Sequence, residues 1–228
     1  FHIDAEVGRG LPMLTPDGAT MRRILERFIV DEELARGYDH VHTPVMGRRS
    51  LYETSGHLEH YEDSMYPPID IDGELYMLRP MTCPHHFMLY KSEPRSFRDL
   101  PVRYAEISPL WRRERSGELT GLIRVMGFHL ADAHIFLAKN DMAKEFREVV
   151  GLIQYVVKAL GLEDVCSYRL SLRDGERGKY VDLPDEWDQA EEGMRSICAD
   201  MDLKVVEAKG HAAFYGPKLD VQRRTACG

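Results

Sequence analysis

The sequence predicts an α+β protein in which helices flank a mainly antiparallel sheet. The first observation is a pair of alternating apolar segments, residues 100–114 and 121–137, which a polar loop joins as in an antiparallel hairpin. The second is a set of helical repeats outside that hairpin, over residues 17–36, 140–160 and 185–201. The third is a composition of 43% hydrophobic and 30% charged residues over 228 positions, which is enough apolar material for a substantial core.

The first predicted element is an amphipathic helix over residues 17–36. Asp17 is its expected N-cap, and Gly37 is its expected end. One face of this helix carries the apolar residues Met21, Ile24, Leu25, Phe28 and Ile29. The alternation in "YDHVHTPVM" then predicts a half-buried strand that Pro44 interrupts, because proline lacks the N–H that sheet pairing needs.

The remaining elements follow on both sides of the hairpin. Before the hairpin we expect a strand at 74–80 and a short helix that Pro84 opens. After it, the two remaining helices alternate with a strand near 165–172 and a final strand pair in "LKVVEA" and "GPKLDVQ". Asp185 is the expected N-cap of the last helix.

Composition narrows the classes of function. The 30 Lys and Arg residues against 38 Asp and Glu residues give a net charge of −8, so a nucleic acid would have to meet a local basic patch. The four cysteines are scattered without a CxxC pair, which predicts reduced thiols and a cytoplasmic protein. We expect no membrane partner, because neither a signal peptide nor an apolar stretch long enough to span a bilayer is present.

The hairpin loop concentrates arginine. Arg112 and Glu114 stand at the end of the first strand, and Arg124 lies early on the return strand. Two arginines on one sheet face can clamp a polyphosphate, because guanidinium is planar, permanently charged and bidentate toward phosphate oxygens. Glu114 can accept from an adenine amino group or hold an arginine in place. The alternative is a solvated surface cluster, since charge runs commonly face water.

A second candidate cluster combines Cys83, in "LRPMTCPHHF", with Asp132 and His134. Asp132 and His134 are two residues apart, so on a strand they share a face, and ionisable groups in an apolar strand need a partner or a metal. Thiolate plus imidazole is a zinc-type ligand set. The alternatives are a core histidine and a buried free cysteine. A nucleophilic Cys83 is disfavoured because no base is specified, and His85 and His86 are expected to be structural or close to a nucleotide.

The last candidate is Lys218, in "AAFYGPKLD". Gly216 and Pro217 mark a turn, after which Lys218 begins a strand. A lysine in this place can reach a phosphate as a point charge. The alternative is an exposed strand lysine without a ligand.

Together these motifs resemble the catalytic core of the threonyl-tRNA synthetases, a family of class II aminoacyl-tRNA synthetases. The segments that carry the resemblance stand in the family's order: "SGHLEHYEDSMY", "LRPMTCPHHF", "LPVRYAEISPLWRRERSGELTGLIRV", "DAHIF" and "AAFYGPKLDVQ". The resemblance implies an ATP site with Mg²⁺. In that site Arg112 meets the ATP α-phosphate, Glu114 lies near the adenine amino group, and Arg124 makes a second ATP contact. Lys218 is implied to act with Arg112 in catalysis.

The resemblance also implies a Zn²⁺ and threonine site. Cys83 and His134 correspond to two of the family's three zinc ligands, and Asp132 corresponds to the acid that receives the threonine hydroxyl. Tyr215 and Met81 correspond to residues that border the amino acid. The zinc is implied to take the substrate amino group and side-chain hydroxyl together.

At the level of the whole chain, the resemblance implies that residues 1–228 form one class II catalytic core that ends before the third motif and the anticodon-binding domain. Pro44 and the helix before it are implied to form a homodimer interface, and tRNA(Thr) is the implied macromolecular substrate. Two positions depart from the family pattern. Met126 stands where an arginine is usual, and Leu130 stands where glutamine is common.

The leading hypothesis is a threonine-tRNA ligase core that makes threonyl-adenylate from threonine and ATP and transfers threonine to tRNA(Thr). One alternative is a catalytically incomplete synthetase-like module that binds threonine, RNA or a protein partner, and the two departures favour it. The other alternative is a zinc-binding structural domain, which would not need the arginine hairpin.

Overall fold

The computed structural model describes residues 1–175 and 179–224 and divides the chain into two compact units, Phe1–Leu137 and Ala138–Gly228. The α-helices of the described residues are α1 (Pro16–Ala35), α2 (Arg49–Thr54), α3 (His57–Tyr61), α4 (Cys83–Lys91), α5 (Met142–Ala159) and α6 (Pro184–Asp200). Short 3₁₀ helices lie at Glu62–Ser64, Phe97–Asp99, Lys139–Asp141 and Glu163–Val165. The strands are β1 (Asp39–His40), β2 (Met46–Arg48), β3 (Ile69–Ile71), β4 (Glu74–Leu78), β5 (Val102–Trp111), β6 (Gly127–Phe136), β7 (Cys166–Leu172), β8 (Val205–Lys209) and β9 (Lys218–Arg223).

The predicted helix boundaries are nearly right, but both predicted N-caps are wrong. Thr15 occupies the N-cap position of α1, and Leu183 occupies that of α6. In both helices a proline takes the first helical position, where its missing N–H leaves no bond unmade. Asp17 and Asp185 therefore fall in the first turn, where a negative charge still favours the helix dipole.

The apolar face of α1 lies largely at the surface of the first unit. Met21, Ile24 and Leu25 are 65%, 60% and 43% exposed. Gly37 ends the helix in the left-handed region with φ 78°, as predicted. The spacing of apolar residues therefore predicted the helix correctly, but the rest of the unit covers this face only in part, at Phe28 and Ile29.

The first unit contains the predicted hairpin. Strands β5 and β6 pair antiparallel over their whole length, from Val102 opposite Phe136 to Trp111 opposite Gly127. Strand β1 adds to β5 in parallel, which gives the order β1-β5-β6. A separate antiparallel sheet has the order β2-β4-β3. The strand predicted around "YDHVHTPVM" is thus divided between two sheets, and Pro44 lies at the break.

The second unit is built on β7. The two last strands do not pair with each other, contrary to the prediction, because they lie on opposite sides of β7 in the order β8-β7-β9. Strand β8 is parallel to β7, a connection that requires a crossover such as α6, whereas β9 is antiparallel. Leu170 and Leu172 of β7 pack with Met194 of α6 in the core of this unit.

The predicted α+β class is confirmed, with antiparallel pairs in the majority. The described residues form three three-stranded sheets instead of one continuous sheet. Nowhere in the described parts of the chain does a helix combine the length and the apolar character that crossing a bilayer requires.

Candidate active site

Cys83 is the first residue of α4. Thr82 precedes it, and the Thr82 Oγ1 is 2.5 Å from the Ser108 Oγ of β5, which joins the start of the helix to the hairpin. Pro84 follows at the second helical position, where the start of a helix needs no N–H. Burial raises the pKa of the Cys83 thiol to about 12, and the negative charge of Asp132 adds to that rise. By itself the thiol is therefore protonated at neutral pH and unsuited to nucleophilic attack.

Asp132 and His134 lie on β6 with one residue between them, so their side chains share a face of the strand. Both are half-buried, whereas the intervening Ala133 is exposed. Asp132 stands opposite Glu106 in the hairpin register, and His134 stands opposite Tyr104. Burial lowers the pKa of His134, although the nearby Asp132 charge opposes this shift.

The start of α4 and this face of β6 come together. His86, one helical turn after Cys83, places its Nδ1 atom 2.9 Å from the Nδ1 atom of His134. The negative charge of Asp132 raises the pKa of Cys83, and it also opposes the lowering of the pKa of His134 by burial. The structure thus brings Cys83, Asp132 and His134 to one region of the first unit, although fifty residues separate the thiol from the imidazole.

Beneath this region lies a buried polar network centred on Glu106. Arg79 donates from Nη2 to Glu106 Oε1 at 2.8 Å, and Thr43 donates to Oε2 at 2.7 Å. The Nε2 atom of His86 is 3.2 Å from the same Oε2. Arg79 also donates to Thr43 Oγ1 at 2.6 Å and to the Pro109 carbonyl at 2.9 Å. These contacts satisfy a charge pair that is almost completely removed from water.

The pKa of Glu106 is a balance of opposing effects. Burial alone would raise it, but hydrogen bonds from His86, Arg79 and Thr43 outweigh burial and lower the pKa to about 2. Glu106 is therefore an ionised carboxylate at neutral pH, and it acts only as a hydrogen-bond acceptor.

The arginine hairpin forms a second cluster. Arg124 donates from Nε to Glu114 Oε2 at 2.8 Å, and its Nη2 atom is 3.4 Å from Glu118. Hydrogen bonding and charge from Glu114, with a further contribution from Glu118, raise the pKa of Arg124. The loop thus brings the predicted residues Glu114 and Arg124 into direct contact, with the Arg124 side chain 52% exposed.

Arg112 lies directly after β5, where the arginine loop begins. Its Nε donates to the Pro80 carbonyl at 3.3 Å, and its guanidinium lies 5.1 Å from the centre of the Phe128 ring. Its positive charge opposes the rise in the pKa of Cys83. It opposes the burial-induced rise in the pKa of Tyr61 in the same way. The half-buried guanidinium of Arg112 is thus held between the segment that precedes Cys83 and the ring of Phe128 on β6.

Met126 and Leu130, the two positions that depart from the family pattern, lie in different surroundings. The Met126 N–H donates to the Gly10 carbonyl at 2.7 Å, and the Met126 carbonyl accepts from the Arg112 N–H at 2.9 Å. A Cβ on Gly10 would stand 2.9 Å from the Met126 side chain, so the glycine leaves room for it. Leu130 is 39% exposed, and the candidate Met81 is half-buried just before Thr82.

Tyr215 and Lys218 belong to the second unit. Lys218 donates from Nζ to Asp220 Oδ1 at 2.9 Å, and Asp220 also accepts from Arg169 and Ser171. Burial raises the pKa of Asp220, but these hydrogen bonds outweigh it, so the pKa is lowered. Tyr215 is 60% exposed, and its ring lies 4.9 Å from that of its neighbour Phe214.

The donor chemistry at Cys83 and His134 fits zinc as part of a ligand set. Thiolate and imidazole are ordinary zinc ligands, and the Asp132 charge favours a cation nearby. Within residues 1–175 and 179–224, no group of three or more His, Cys, Asp or Glu side chains is arranged to hold a metal. A tetrahedral zinc site that used Cys83 and His134 would therefore need further ligands.

Sequence reasoning missed the network that supports the candidate site. No role was predicted for Arg79, Thr43 or Glu106, and His86 was expected only to be structural or close to a nucleotide. One available signal was Glu106, a carboxylate that alternates with apolar residues in a buried strand. The other was the pair His85 and His86 at the start of an apolar helix, where a buried imidazole needs partners.

Comparisons with known proteins identify the family of this chain. Residues 66–227 match the model of the tRNA synthetase class II core domain (G, H, P, S and T). The threonine–tRNA ligase of Geobacillus kaustophilus is 52% identical over all of this chain, and threonine–tRNA ligase 1 of Bacillus subtilis is 50% identical. The chain spans 35% and 36% of the length of these two relatives.

Solved structures give the same result. The RNA-binding domain of threonyl-tRNA synthetase from Cryptosporidium parvum superposes with a TM-score of 0.92 at 31% identity, and the match covers 99% of this chain and 55% of that one. A putative threonyl-tRNA synthetase from Aeropyrum pernix gives 0.86 at 32% identity, over 95% of this chain and 49% of that one. This chain therefore belongs to the class II tRNA synthetase core family, and the resemblance to threonyl-tRNA synthetases is confirmed.

Proposed function

We propose that this chain is the catalytic core of a threonine–tRNA ligase. It activates threonine with ATP to form threonyl-adenylate and then transfers threonine to tRNA(Thr). One observation carries the proposal: the loop that carries Arg112, Glu114 and Arg124 and the strand that carries Asp132 and His134 belong to the same β5–β6 hairpin, within one compact unit. Neither a purely structural zinc domain nor a simple nucleotide-binding loop requires both.

In the proposed ATP site, the half-buried Arg112 contacts the α-phosphate. Its planar guanidinium suits bidentate contact with phosphate oxygens. Glu114 accepts from the adenine amino group, and Arg124 turns from its exposed ion pair toward ATP. An exposed pair contributes little to stability, so it can be exchanged for a ligand at small cost. The family membership supports ATP with Mg²⁺ as the reaction's nucleotide.

For the amino acid, we propose that Cys83 and His134 hold Zn²⁺ and that Asp132 receives the threonine hydroxyl. When bound, the zinc supplies a Lewis-acid centre for the amino group and hydroxyl of threonine. The carboxylate of Asp132 orients the hydroxyl through a hydrogen bond. The proposal that Met81, Tyr215 and Lys218 border threonine and phosphates rests on the family resemblance alone.

This arrangement explains how valine would be rejected. Valine is close to threonine in shape but has no hydroxyl, so in its complex the polar groups of the site would remain unpaired and desolvated. Sites that hydrogen-bond a substrate hydroxyl reject the analogue that lacks it far more strongly than apolar pockets do. Activation itself is an in-line attack of the threonine carboxylate on the α-phosphate, in which the bond from the α-phosphorus to the bridging oxygen breaks and pyrophosphate leaves. That step depends on positioned arginines and magnesium more than on a general base.

We further propose that the chain forms a homodimer through α1. The apolar face of α1 is exposed, and it borders a groove of about 820 Å³ that the N-terminal segment and the hairpin also line. The groove is lined by residues such as Met13, Met21, Leu25, Trp111 and Phe128. An apolar surface of this kind is typical of a protein interface. A Leu25→Glu variant should be monomeric by analytical ultracentrifugation, whereas Arg27→Glu, a change at an exposed charged position of α1, should keep the dimer.

We place the activity in the cytoplasm. Cys83, Cys166 and Cys198 are free thiols, which fits a reducing compartment. We also propose that residues 1–228 belong to one catalytic core, as the match to the family model over residues 66–227 supports.

A catalytically incomplete module that binds threonine, RNA or a protein partner is the second candidate. The observation that favours it is Met126, which stands at a position where the resemblance implies an arginine for ATP or the amino acid. A methionine supplies no charge to phosphate, so ATP affinity would be lower than in relatives with arginine.

Threonine-dependent ATP–pyrophosphate exchange separates the two candidates. We expect exchange with threonine and much less with valine, and we expect Asp132→Asn to reduce the preference for threonine. The assay should be run on this chain and on a version extended at its C-terminus. Exchange from neither version, with threonine binding retained in calorimetry, would favour the module over the enzyme.

Metal content tests the zinc proposal. Cys83→Ala should lose bound zinc in elemental analysis, whereas Cys166→Ala, which changes a half-buried thiol on β7, should retain it. Equal zinc content in the two variants would remove Cys83 from the ligand set and leave it as a packed thiol.

A further inference from the structure

A single histidine connects the buried carboxylate of Glu106 to His134. His86 Nε2 is 3.2 Å from Glu106 Oε2, and His86 Nδ1 is 2.9 Å from His134 Nδ1. His86 is fully buried, so these protein groups must satisfy its two nitrogens. The direction of each hydrogen bond therefore fixes where the protons lie on both rings.

The carboxylate determines the direction of the first hydrogen bond. Arg79 and Thr43 both donate to Glu106, at 2.8 Å and 2.7 Å, and Arg79 supplies a positive charge that keeps the carboxylate ionised. An ionised carboxylate can only accept. His86 must therefore donate from Nε2, which places its proton on that atom.

The second hydrogen bond follows from the first. A neutral His86 with its proton on Nε2 offers only a lone pair at Nδ1, so Nδ1 of His134 must be the donor. A His86 ring with protons on both nitrogens would reverse this bond, and the proton positions on His134 measured below distinguish the two arrangements.

We propose that His86 is a positioning residue that sets the tautomer of His134, with Glu106 acting through it. His134 carries its proton on Nδ1, and its lone pair lies on Nε2. In this tautomer Nε2 is the ring atom able to bind a metal. Metal-ligating histidines commonly have their other nitrogen fixed by such a partner. The consequence for zinc rests on the zinc site proposed above, whereas the tautomer itself does not.

Nitrogen NMR of the metal-free, ¹⁵N-labelled protein tests the tautomer directly. Long-range proton–nitrogen correlations distinguish a protonated ring nitrogen from one with a lone pair, and a His134→Ala sample identifies the His134 signals. We expect a protonated Nδ1 and an unprotonated Nε2 on His134. A proton on Nε2 of His134 would overturn the proposal, and this measurement needs no variant of His86.

Variants of His86 test its role. His86→Phe keeps an aromatic ring but removes the acceptor, so the His134 signals should move to the other tautomer or to an average of both. His86→Asn places an amide oxygen near the former Nδ1 position and should restore the wild-type pattern. His85→Phe, one residue earlier on α4, is the control and should leave the His134 signals unchanged. An unchanged His134 pattern in a folded His86→Phe protein would overturn the proposal.

Zinc affinity, measured by competition with a coloured chelator, tests the consequence for the metal. We expect His86→Phe to weaken zinc binding about 10- to 100-fold, the usual effect of removing a partner of a metal ligand. His86→Asn should stay closer to wild type. Equal affinities would overturn the link between the tautomer and the metal. A wild-type protein without zinc affinity would remove the proposed zinc site, and the nitrogen spectra would still decide the tautomer.

Discussion

Two arginine–glutamate pairs in the first unit have the same length but opposite surroundings. Arg79 and Glu106 approach to 2.8 Å with side chains that are 0% and 1% exposed. Arg124 and Glu114 also approach to 2.8 Å, but the arginine is 52% exposed and the glutamate 13%. Because the two pairs differ in exposure and not in length, distance alone does not indicate the role of an ion pair.

Burial decides what each pair can do. Breaking the interior pair leaves a charge that water cannot reach, so Arg79 and Glu106 hold the β5 strand and the start of α4 in one arrangement. Breaking the loop pair affects an arginine that is half exposed to water, so the lost charge contact costs little, although Glu114 itself is only 13% exposed. The interior pair therefore supports the site, whereas the loop pair is available for exchange with a charged ligand.

The largest expected effect comes from removing the interior cation. Arg79→Met should lower the free energy of unfolding by about 3–5 kcal/mol, because Glu106 is left buried without its charge partner. Urea denaturation followed by circular dichroism measures this. A loss below about 1 kcal/mol, the range of an exposed pair, would contradict the distinction between the two pairs.

The pH dependence of stability should report the same interior pair. The folded pKa of Glu106 is lowered from 4.5 to about 2, so its stabilising contribution is complete above pH 4.5 and is lost as the pH falls through 2. The shift corresponds to roughly 3 kcal/mol. Unfolding free energies measured between pH 6 and pH 2 should therefore fall less steeply in Glu106→Gln than in wild type. Identical slopes would show that Glu106 does not carry this linkage.

Arg112 should have its main effect on ligand binding and not on folding. Arg112→Ala should weaken ATP binding about 10- to 100-fold, as expected for a lost charge-assisted hydrogen bond. Its neighbour Arg113 is exposed, so Arg113→Ala is the matched control and should bind ATP nearly as well as wild type. Calorimetric titration with ATP measures both, and equal affinities would refute the role proposed for Arg112.

The smallest expected effect on stability comes from the loop pair. Arg124→Met should leave the free energy of unfolding almost unchanged, because the Arg124 guanidinium lies at the surface and its ion pair is screened by water. The same variant should weaken ATP binding if Arg124 turns toward the nucleotide. A loss of stability comparable to that of Arg79→Met would mean that the loop pair is also a structural element.

Periodicity predicted the elements of the fold better than their ends or their packing. The hairpin of β5 and β6 follows from two long alternating segments, and α5 follows from its apolar repeat. The caps of α1 and α6 were misassigned because a proline at the first helical position moves the helix start ahead of the acidic residue. The pairing of β8 and β9 was wrong because neighbours in sequence need not be neighbours in a sheet.

The candidate site was predictable only in part. Glu114 and Arg124 lie on one loop, and Asp132 and His134 lie on one strand, so local spacing brought each pair together. The contacts among Thr43, Arg79, His86 and Glu106 were not predictable in this way, since these residues come from four separate segments.

Local patterns in the chain were enough to predict the class of fold, the family and the residue types that the proposed chemistry needs, because helical and strand periods and short motifs are local properties. The folded structure was needed to show which Arg–Glu pair is buried and that His86 contacts His134. It also showed that the apolar face of α1 remains exposed. Burial and long-range hydrogen bonding depend on how distant segments pack, and no local pattern records that packing.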